Sequence, residues 1–253
     1  MSLVMFILWI IERATKDASI VDVGWAYGLG FTALGYGYFA NGDEIRRGLI
    51  AILAGAWSLR LGTYLLNNRV IGKSEDARYV ELRDKWGRKA GRNFFLFFQF
   101  QALLVVAFSI PYWVVAEASW NNELRWQDYV GIGIWAVSVL GESIADRQLA
   151  QFREDPASKG KTCQRGLWRY SRHPNYFFEW LHWWGYVFIA WNAPYWGLSL
   201  LGPALMFYFL FKITGIPPTE ARALKSRSDY KTYQERTSMF FPWFPKKIKG
   251  SEV

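Results

Sequence analysis

The sequence has few residues that bind metals or form cross-links. It contains one cysteine, Cys163, and two histidines, His173 and His182, among 253 residues. A single cysteine excludes an intrachain disulfide, and two histidines exclude a histidine-rich metal site. We therefore predict no metal centre, and we interpret Cys163 as an ordinary thiol in a loop.

Charged residues are also scarce, at 20% of the chain, whereas soluble globular proteins contain about 25%. Hydrophobic residues make up 52% and aromatic residues 19%. Aromatic side chains are enriched at the two surfaces of a membrane. The composition is typical of an integral membrane protein, and no sustained alternation of polar and apolar residues indicates a β-barrel.

Apolar runs recur at the length needed to cross a bilayer, roughly 17–25 residues. They predict about seven transmembrane helices, near 2–12, 22–40, 48–66, 94–115, 128–145, 176–192 and 197–213. The first run is shorter than the others. The fold class that we expect is all-α, a polytopic membrane protein that forms a single integral membrane domain over residues 1–253.

The basic residues are unevenly distributed along a chain with a net charge of +9. Eight Lys and Arg lie in 67–93, seven in 146–175 and nine from Lys212 onward. These segments fall on one side of a seven-helix topology, which is the cytoplasmic side by the positive-inside rule. We expect a multi-pass protein of the bacterial inner membrane. Because the charge is confined to one face beside lipid, nucleic acid is not an expected partner.

Several polar residues lie inside the predicted spans. Arg60 lies about twelve residues into the third span, where its insertion costs about 2.5–3.5 kcal/mol. Arg60, Tyr64 and Asn68 are four residues apart and form one helical stripe that suits a ribose or a phosphate. The alternative is a capped helix followed by a solvated loop. Asp22 and Asp146, near span ends, either line a cavity or extend toward water.

The segment SRHPNY (171–176) begins the sixth span. Pro174 is favoured in the first turn of a helix, and free N–H groups at a helix start bind anions. Arg165, Arg169 and Arg172 lie close by along the chain. This combination predicts a phosphate site at the start of the span, with contacts to lipid headgroups as the alternative.

Two glycine-containing segments, GLGFTALG and GIGIWAVS, invite comparison with dinucleotide fingerprints. Neither contains G-x-G-x-x-G after a strand, and both lie within predicted spans. We interpret their glycines as sites of close helix packing. The sequence therefore predicts no Rossmann domain.

Longer motifs resemble a known family. SEDARYVELR, ESIADRQLAQFR, GLWRYSRHPNYFFE and SDYKTYQERTSMFFPWFP are similar to segments of the steroid 5-alpha-reductase-like membrane proteins. The resemblance covers nearly the whole chain, from 19 to 245. The wider superfamily includes sterol C14 reductases and isoprenylcysteine carboxyl methyltransferases. The methyltransferases share RHPxY, whereas asparagine between the proline and the tyrosine is more frequent in the reductases.

The resemblance implies an NADPH-dependent oxidoreductase that reduces the C=C bond of a 4-ene-3-oxo steroid or a related lipophilic enone. We expect a monomer with its NADPH site facing the cytoplasm, and with substrate entering from the lipid through helices one to four. The expected cofactor-binding residues, which include two arginines of the cluster described above, are Arg60, Tyr64, Asn68, Arg69, Asp146, Arg147, Arg165, Tyr170, Arg172, His173, Asn175, Tyr176, Glu179, Glu220 and Arg222.

On the substrate side, the resemblance implies an acid in the second helix and a tyrosine in the third that bind the 3-oxo group. Asp22 matches the acid, but Trp57 stands at the tyrosine position and cannot act as a phenolic acid. A buried, protonated Asp22 would donate to the carbonyl oxygen, where negative charge develops during hydride transfer. Tyr64 or a water molecule would assist. The candidate catalytic residues are therefore Asp22, Trp57 and Tyr64.

Two other functions stay open at this stage. The first is a methyltransferase that uses S-adenosylmethionine on a lipidated or lipid substrate, which shares RHPNY. That cofactor has no phosphate, so the abundance of arginine fits it less well. The second is a non-catalytic membrane protein that binds a sterol or a lipid.

Overall fold

The computed structural model of the chain describes residues 1–247. Lys249, the last member of the predicted basic C-terminal segment, lies outside the described residues. Within 1–247 the regular elements are helices, and no residue lies in a β-strand. The structure therefore confirms the all-α class.

Ten α-helices, joined by short 3₁₀ and π-helical turns, follow one another along the described residues. They are α1 (Ser2–Thr15), α2 (Ile20–Phe39), α3 (Glu44–Leu65), α4 (Ala77–Trp86), α5 (Ala90–Ala116), α6 (Trp126–Glu154), α7 (Pro174–Ile189), α8 (Leu201–Tyr208), α9 (Ile216–Ser226) and α10 (Tyr230–Arg236).

Each of the seven apolar runs coincides with helical structure. Three continuous helical segments within 1–247 are long and apolar enough to cross a membrane, namely Glu44–Val70, Ala77–Ala116 and Trp196–Ser226. The last begins with a 3₁₀ turn and includes α8 and the π-helical turn Phe209–Ile213. The structure thus supports a membrane protein, while the number of seven spans stays a prediction.

The chain forms two compact units. The first contains Met1–Arg125 and Ala190–Gly202, and the second contains Trp126–Ile189 and the described chain from Pro203 onward. The prediction of a single integral membrane domain stays a prediction. The helices α2, α3 and α5 pack against one another in the first unit, and α6 packs against α7 in the second.

Some glycines of the two fingerprint-like segments lie where helices approach closely, whereas Cβ atoms on Gly35 and Gly133 would have no atom within 4 Å. A Cβ atom on Gly30 would lie 2.3 Å from Ser58 Oγ of α3. A Cβ atom on Gly131 would lie 2.5 Å from the carbonyl oxygen of Gly185 in α7. Since real Cβ atoms do not approach other atoms so closely, both positions require glycine, and the packing interpretation is confirmed for Gly30 and Gly131 but not for Gly35 and Gly133.

Aromatic side chains form much of the core of the first unit. Trp57 is fully buried, and Trp25 lies edge-on against both Trp57 and Phe108 at centroid distances of 6.3 and 5.5 Å. Large buried side chains of this kind each contribute about 1.5–3 kcal/mol relative to exposure to water. Trp57 therefore packs in the core, and its indole cannot supply the phenolic acid that the resemblance associates with this position.

Candidate functional site

Asp22, in the first turn of α2, lies in a cluster of charged residues of the first unit. Its carboxylate accepts hydrogen bonds from Tyr79 Oη at 2.6 Å, from Arg78 Nη2 at 2.7 Å and from Arg69 Nη1 at 3.4 Å. Asp76 completes the cluster, with Oδ1 3.0 Å from Arg78 Nε. Two carboxylates are therefore held between two guanidinium groups.

The cluster stabilises the Asp76 carboxylate in the ionised form. Burial alone would raise the pKa of Asp76, but the hydrogen bonds and charge of Arg78, together with the charge of Arg69, lower it to about 2. Asp22 receives charged donors of the same kind, which bind an ionised carboxylate most strongly. The Asp22 carboxylate accepts three hydrogen bonds here, and its predicted role as a donor to the substrate stays a prediction.

The predicted polar stripe of α3 forms a chain of contacts. The guanidinium carbon of Arg60 lies 5.5 Å from the centre of the Tyr64 ring. Asn68 Nδ2 donates to the carbonyl oxygen of Tyr64 at 2.9 Å. Because α3 ends at Leu65 and a π-helical turn follows (Leu66–Val70), Asn68 does not continue a regular i, i+4 pattern. Arg69 lies in the same turn but belongs to the Asp22 cluster.

In the second unit, the predicted helix start is confirmed, since α7 begins at Pro174. Asn175, in the first turn, donates through Nδ2 to Oδ1 of Asp146 on α6 at 3.2 Å. Asp146 is buried and Asn175 is half-buried. The structure therefore brings together two of the residues that the sequence assigned to the cofactor.

Glu220 of α9 joins several predicted residues at the start of α7. Its carboxylate lies 2.8 Å from Arg172 Nε and 3.1 Å from His173 Nε2, and it accepts a hydrogen bond of 2.7 Å from Gln234 Nε2. Burial lowers the pKa of His173, and the charge of Arg172 acts in the same direction, against the opposing effect of Glu220. Glu220 thus anchors α9 to the start of α7, and its predicted contact with the cofactor stays a prediction.

Other predicted residues surround this anchor. The Tyr176 ring stacks on His173 at a centroid distance of 5.3 Å, and its hydroxyl lies 3.4 Å from Thr219 Oγ1. Arg222 Nε donates to the carbonyl oxygen of Pro218 at 3.2 Å. Glu179 is half-buried, and its backbone carbonyl oxygen accepts a hydrogen bond of 2.5 Å from Nδ1 of the His182 ring.

Three further predicted residues lie at the surface of the second unit or near it. Arg147 is exposed on α6. The guanidinium carbon of the exposed Arg165 lies 5.3 Å from the centre of the Phe152 ring. The Tyr170 ring is half-buried and lies 5.9 Å from that of Phe244. These three do not join the hydrogen-bonded group around Glu220.

A basic pocket of about 260 Å³ lies on the second unit. Its cationic lining residues come from three segments, Arg153 from α6, Lys159 and Lys161 from the following loop, and Arg227 from the turn after α9. Asp155 contributes the one carboxylate of this lining. A pocket with four cations and one anion attracts phosphate groups. We refer to it as the basic pocket.

The sequence did not predict that these residues form one pocket. The loop SKGK (158–161) contains two lysines around Gly160, whose φ of +75° favours glycine. That pattern is a signal for a basic turn, but Arg227 is distant in sequence and joins it only in the folded chain. The residues described by the structure contain no group of His, Cys, Asp and Glu side chains that could hold a metal ion.

Comparison with known proteins identifies a family and two relatives of the chain. A family model described as a protein of unknown function (DUF1295) matches residues 8–237. An uncharacterized protein of Schizosaccharomyces pombe is 25% identical over 271 residues, which cover 93% of this chain and 76% of that protein.

A second relative has a named activity. The 3-oxo-5-alpha-steroid 4-dehydrogenase 1 of Macaca fascicularis is 26% identical over 106 residues, which cover 42% of this chain and 37% of that protein. This similarity is consistent with the resemblance seen in the motifs, but it extends over less than half of either chain. No solved structure matches the chain.

Proposed function

The chain belongs to the DUF1295 family, and we propose that it is an NADPH-dependent membrane reductase. The proposed reaction is reduction of the C=C bond of a 4-ene-3-oxo steroid or a related lipophilic enone. The similarity to a 3-oxo-5-alpha-steroid 4-dehydrogenase supports this proposal, as do the three helical segments that are apolar enough to cross a membrane.

The observation that carries the proposal is the arrangement of polar residues along α6. Asp146, which accepts the hydrogen bond from Asn175, and Arg153, which lines the basic pocket, are seven residues apart on this helix. Two helical turns separate them by about 10 Å on roughly the same face. A nicotinamide nucleotide has a polar carboxamide and, farther along the molecule, several phosphates, and this spacing suits both.

The second unit contains the residues that would hold the cofactor. We assign the Asn175 side chain, fixed by Asp146, to the carboxamide of the nicotinamide, with Glu179 one turn farther along α7. We assign the phosphates to the basic pocket, where four cations would favour NADPH over NADH through the additional 2′-phosphate. When bound, NADPH supplies the hydride that adds to the β-carbon of the enone.

The substrate roles differ from those expected from the sequence. Asp22 is an acceptor in an ion-pair cluster, so we assign it the positioning of Arg78 and Tyr79 and not proton donation. Tyr64, which lies beside the guanidinium group of Arg60, becomes the candidate proton donor, because a nearby cation stabilises the phenolate left after donation. Trp57 has a packing role.

The proposal also includes an orientation in the membrane, a route for the substrate and an oligomeric state. Seven transmembrane helices would place the basic loops, and with them the NADPH phosphates, on the cytoplasmic side of a bacterial inner membrane. The enone, being lipophilic, would reach the protein from the bilayer. We expect the monomer to be sufficient for activity.

The reaction can be tested directly with detergent-purified protein, NADPH and a panel of 4-ene-3-oxo steroids and other enones. We expect NADPH-dependent loss of the C=C bond, identified by mass spectrometry and NMR, with hydride on the β-carbon. The Tyr64→Phe variant should retain NADPH binding and lose most turnover. Methylation of a lipid substrate by S-adenosylmethionine, without any enone reduction, would refute the proposal.

A further inference from the structure

Residues 237–247 form an extended segment after α10, which we call the C-terminal strap. Its backbone is fixed to the loop before α7 by two hydrogen bonds. Arg172 N donates to the carbonyl oxygen of Ser238 at 2.8 Å, and Trp243 N donates to the carbonyl oxygen of Tyr170 at 2.9 Å. Lys246 N donates to the carbonyl oxygen of Arg236 at 2.8 Å. The strap is therefore an ordered part of the second unit.

The strap presents large aromatic side chains at the surface. Phe240 is 2% exposed and anchors the strap, whereas Phe241, Trp243 and Phe244 are 54%, 72% and 75% exposed. Three adjacent aromatic side chains held outward by a fixed backbone form a patch of the kind that contacts another surface. Two exposed lysines, Lys246 and Lys247, follow directly.

The contacts of the strap relate it to the beginning of α7. The Phe241 ring lies 6.0 Å from that of Phe177 and 5.8 Å from that of Trp180, both in the first two turns of this helix. If α7 enters the bilayer, as its apolar composition predicts, its first turns lie at the boundary between lipid and water. Aromatic and basic side chains are the residues that prefer this boundary.

A second pocket, of about 250 Å³, lies beside the strap. Its lining residues are Gln164, Arg169, Arg236, Thr237 and Pro245. Within residues 1–247, neither Arg169 nor Arg236 forms an ion pair with a carboxylate. Two uncompensated guanidinium groups in one cavity form a site for a phosphate group.

This cavity, the Arg169–Arg236 pocket, is separate from the basic pocket, with which it shares no lining residue. Pro245 of the strap lines it, and the exposed Trp243 and Phe244 lie just before this proline. A ligand with a phosphate and an attached apolar part would satisfy both features, since the arginines would bind the phosphate and the aromatic rings would contact the glycerol and upper acyl chains.

From these observations we propose that the Arg169–Arg236 pocket and the C-terminal strap bind an anionic phospholipid from the adjacent membrane surface. Its phosphate binds Arg169 and Arg236, and Lys246 and Lys247 add to the attraction of the anionic headgroup layer. The lipid holds the strap, and through Ser238 and Tyr170 the loop before α7, against the membrane. This inference does not depend on the proposed reductase activity.

The test is native mass spectrometry of the detergent-purified full-length protein with phosphatidylglycerol and phosphatidylcholine of identical acyl chains. We expect the wild type to retain phosphatidylglycerol in preference to phosphatidylcholine. The Arg169→Gln/Arg236→Gln double variant should lose this preference, with retention falling about tenfold or more. The Trp243→Ala/Phe244→Ala variant should weaken retention of both lipids.

The matched control is Lys225→Gln/Lys231→Gln, which removes the same charge at exposed positions outside the pocket. It should keep the preference of the wild type. Equal retention of the two lipids by the wild type, or an equal loss in the control variant, would overturn the proposal. Displacement of phosphatidylglycerol by millimolar inorganic phosphate would instead identify a site for soluble phosphate and would also overturn it. Circular dichroism of each variant shows that it is folded.

Discussion

Asn175 Nδ2 donates a hydrogen bond of 3.2 Å to Asp146 Oδ1, and this contact joins the first turn of α7 to the C-terminal third of α6. The two residues are 29 positions apart in the sequence. The contact fixes the orientation of an amide whose carbonyl oxygen can still accept a hydrogen bond. An amide held in this way can recognise another amide, such as the carboxamide of a nicotinamide.

Replacement of Asn175 by alanine removes this amide. We expect Asn175→Ala to raise the Kd for NADPH by about tenfold and to lower kcat, because one hydrogen bond contributes about 0.5–1.5 kcal/mol and the orientation of the ring is lost as well. Isothermal titration calorimetry and turnover assays measure the two effects. Asn67→Ala, at an exposed position, is the control. Unchanged binding by Asn175→Ala would remove this residue from the site.

The basic pocket should determine the preference between the two nicotinamide nucleotides. We expect Lys159→Gln/Lys161→Gln to raise the Kd for NADPH about tenfold at low salt and to change the Kd for NADH much less, since only NADPH carries the 2′-phosphate. Lys85→Gln/Lys89→Gln, with the same change in charge at exposed positions, should bind like the wild type. An equal rise in the Kd for NADPH and the Kd for NADH would contradict the assignment of the 2′-phosphate to this pocket.

Asp22 should matter for stability. Asp22→Asn removes the negative charge that Arg78 and Arg69 share, and leaves Asp76 as the carboxylate of the cluster. We expect the free energy of unfolding to fall by about 1–3 kcal/mol, as when a charged hydrogen-bond partner is lost. Thermal unfolding in detergent measures the change. Asp84→Asn, at an exposed position, should leave the free energy of unfolding unchanged. If Asp22→Asn also left it unchanged, the cluster would not be stabilising.

His173 makes stability depend on pH. Because burial lowers its pKa below the ordinary value, the unfolded chain takes up this proton at a higher pH than the folded chain does. Stability is therefore unaffected above about pH 6.5 and falls as the pH decreases below it. Glu220 and Arg172 face the ring and have opposite effects on its charge.

We therefore expect the melting temperature of the wild type to fall more between pH 7.5 and pH 5.5 than that of His173→Gln, which has no such proton to bind. Comparing the fall in melting temperature within each protein separates this effect from the general cost of the substitution. An identical fall in the two proteins would show that His173 does not contribute to the pH dependence.

The helices were predictable from the sequence because their signals are local. Long apolar runs locate α2, α3 and α5, and Pro174 marks the start of α7. The Gly-x-Gly segments also point to close packing, which Gly131 confirms, whereas a Cβ atom on Gly133 would have no atom within 4 Å. The exact end of α3 was not predictable, since the π-helical turn at Leu66–Val70 has no clear sequence signal, and this turn changes the position of Asn68.

The contacts between distant segments were not predictable. Asp22 and Arg78 are 56 residues apart, and their ion pair has no local sequence signal. Arg227 joins Lys159 and Lys161 only through the fold. Glu220 contacts His173, Arg172 and Gln234, and the first of these lies 47 residues away in the sequence. In each case the residue type was informative, while its partner depended on tertiary structure.

The central claim is that the second unit binds a reduced nicotinamide nucleotide. The most direct measurement is the melting temperature of the purified protein with NADPH or with S-adenosylmethionine, each at saturating concentration, because a ligand that binds the folded state stabilises it. We predict a clear increase with NADPH that Asn175→Ala reduces, and none with S-adenosylmethionine. Stabilisation by S-adenosylmethionine alone would contradict the account.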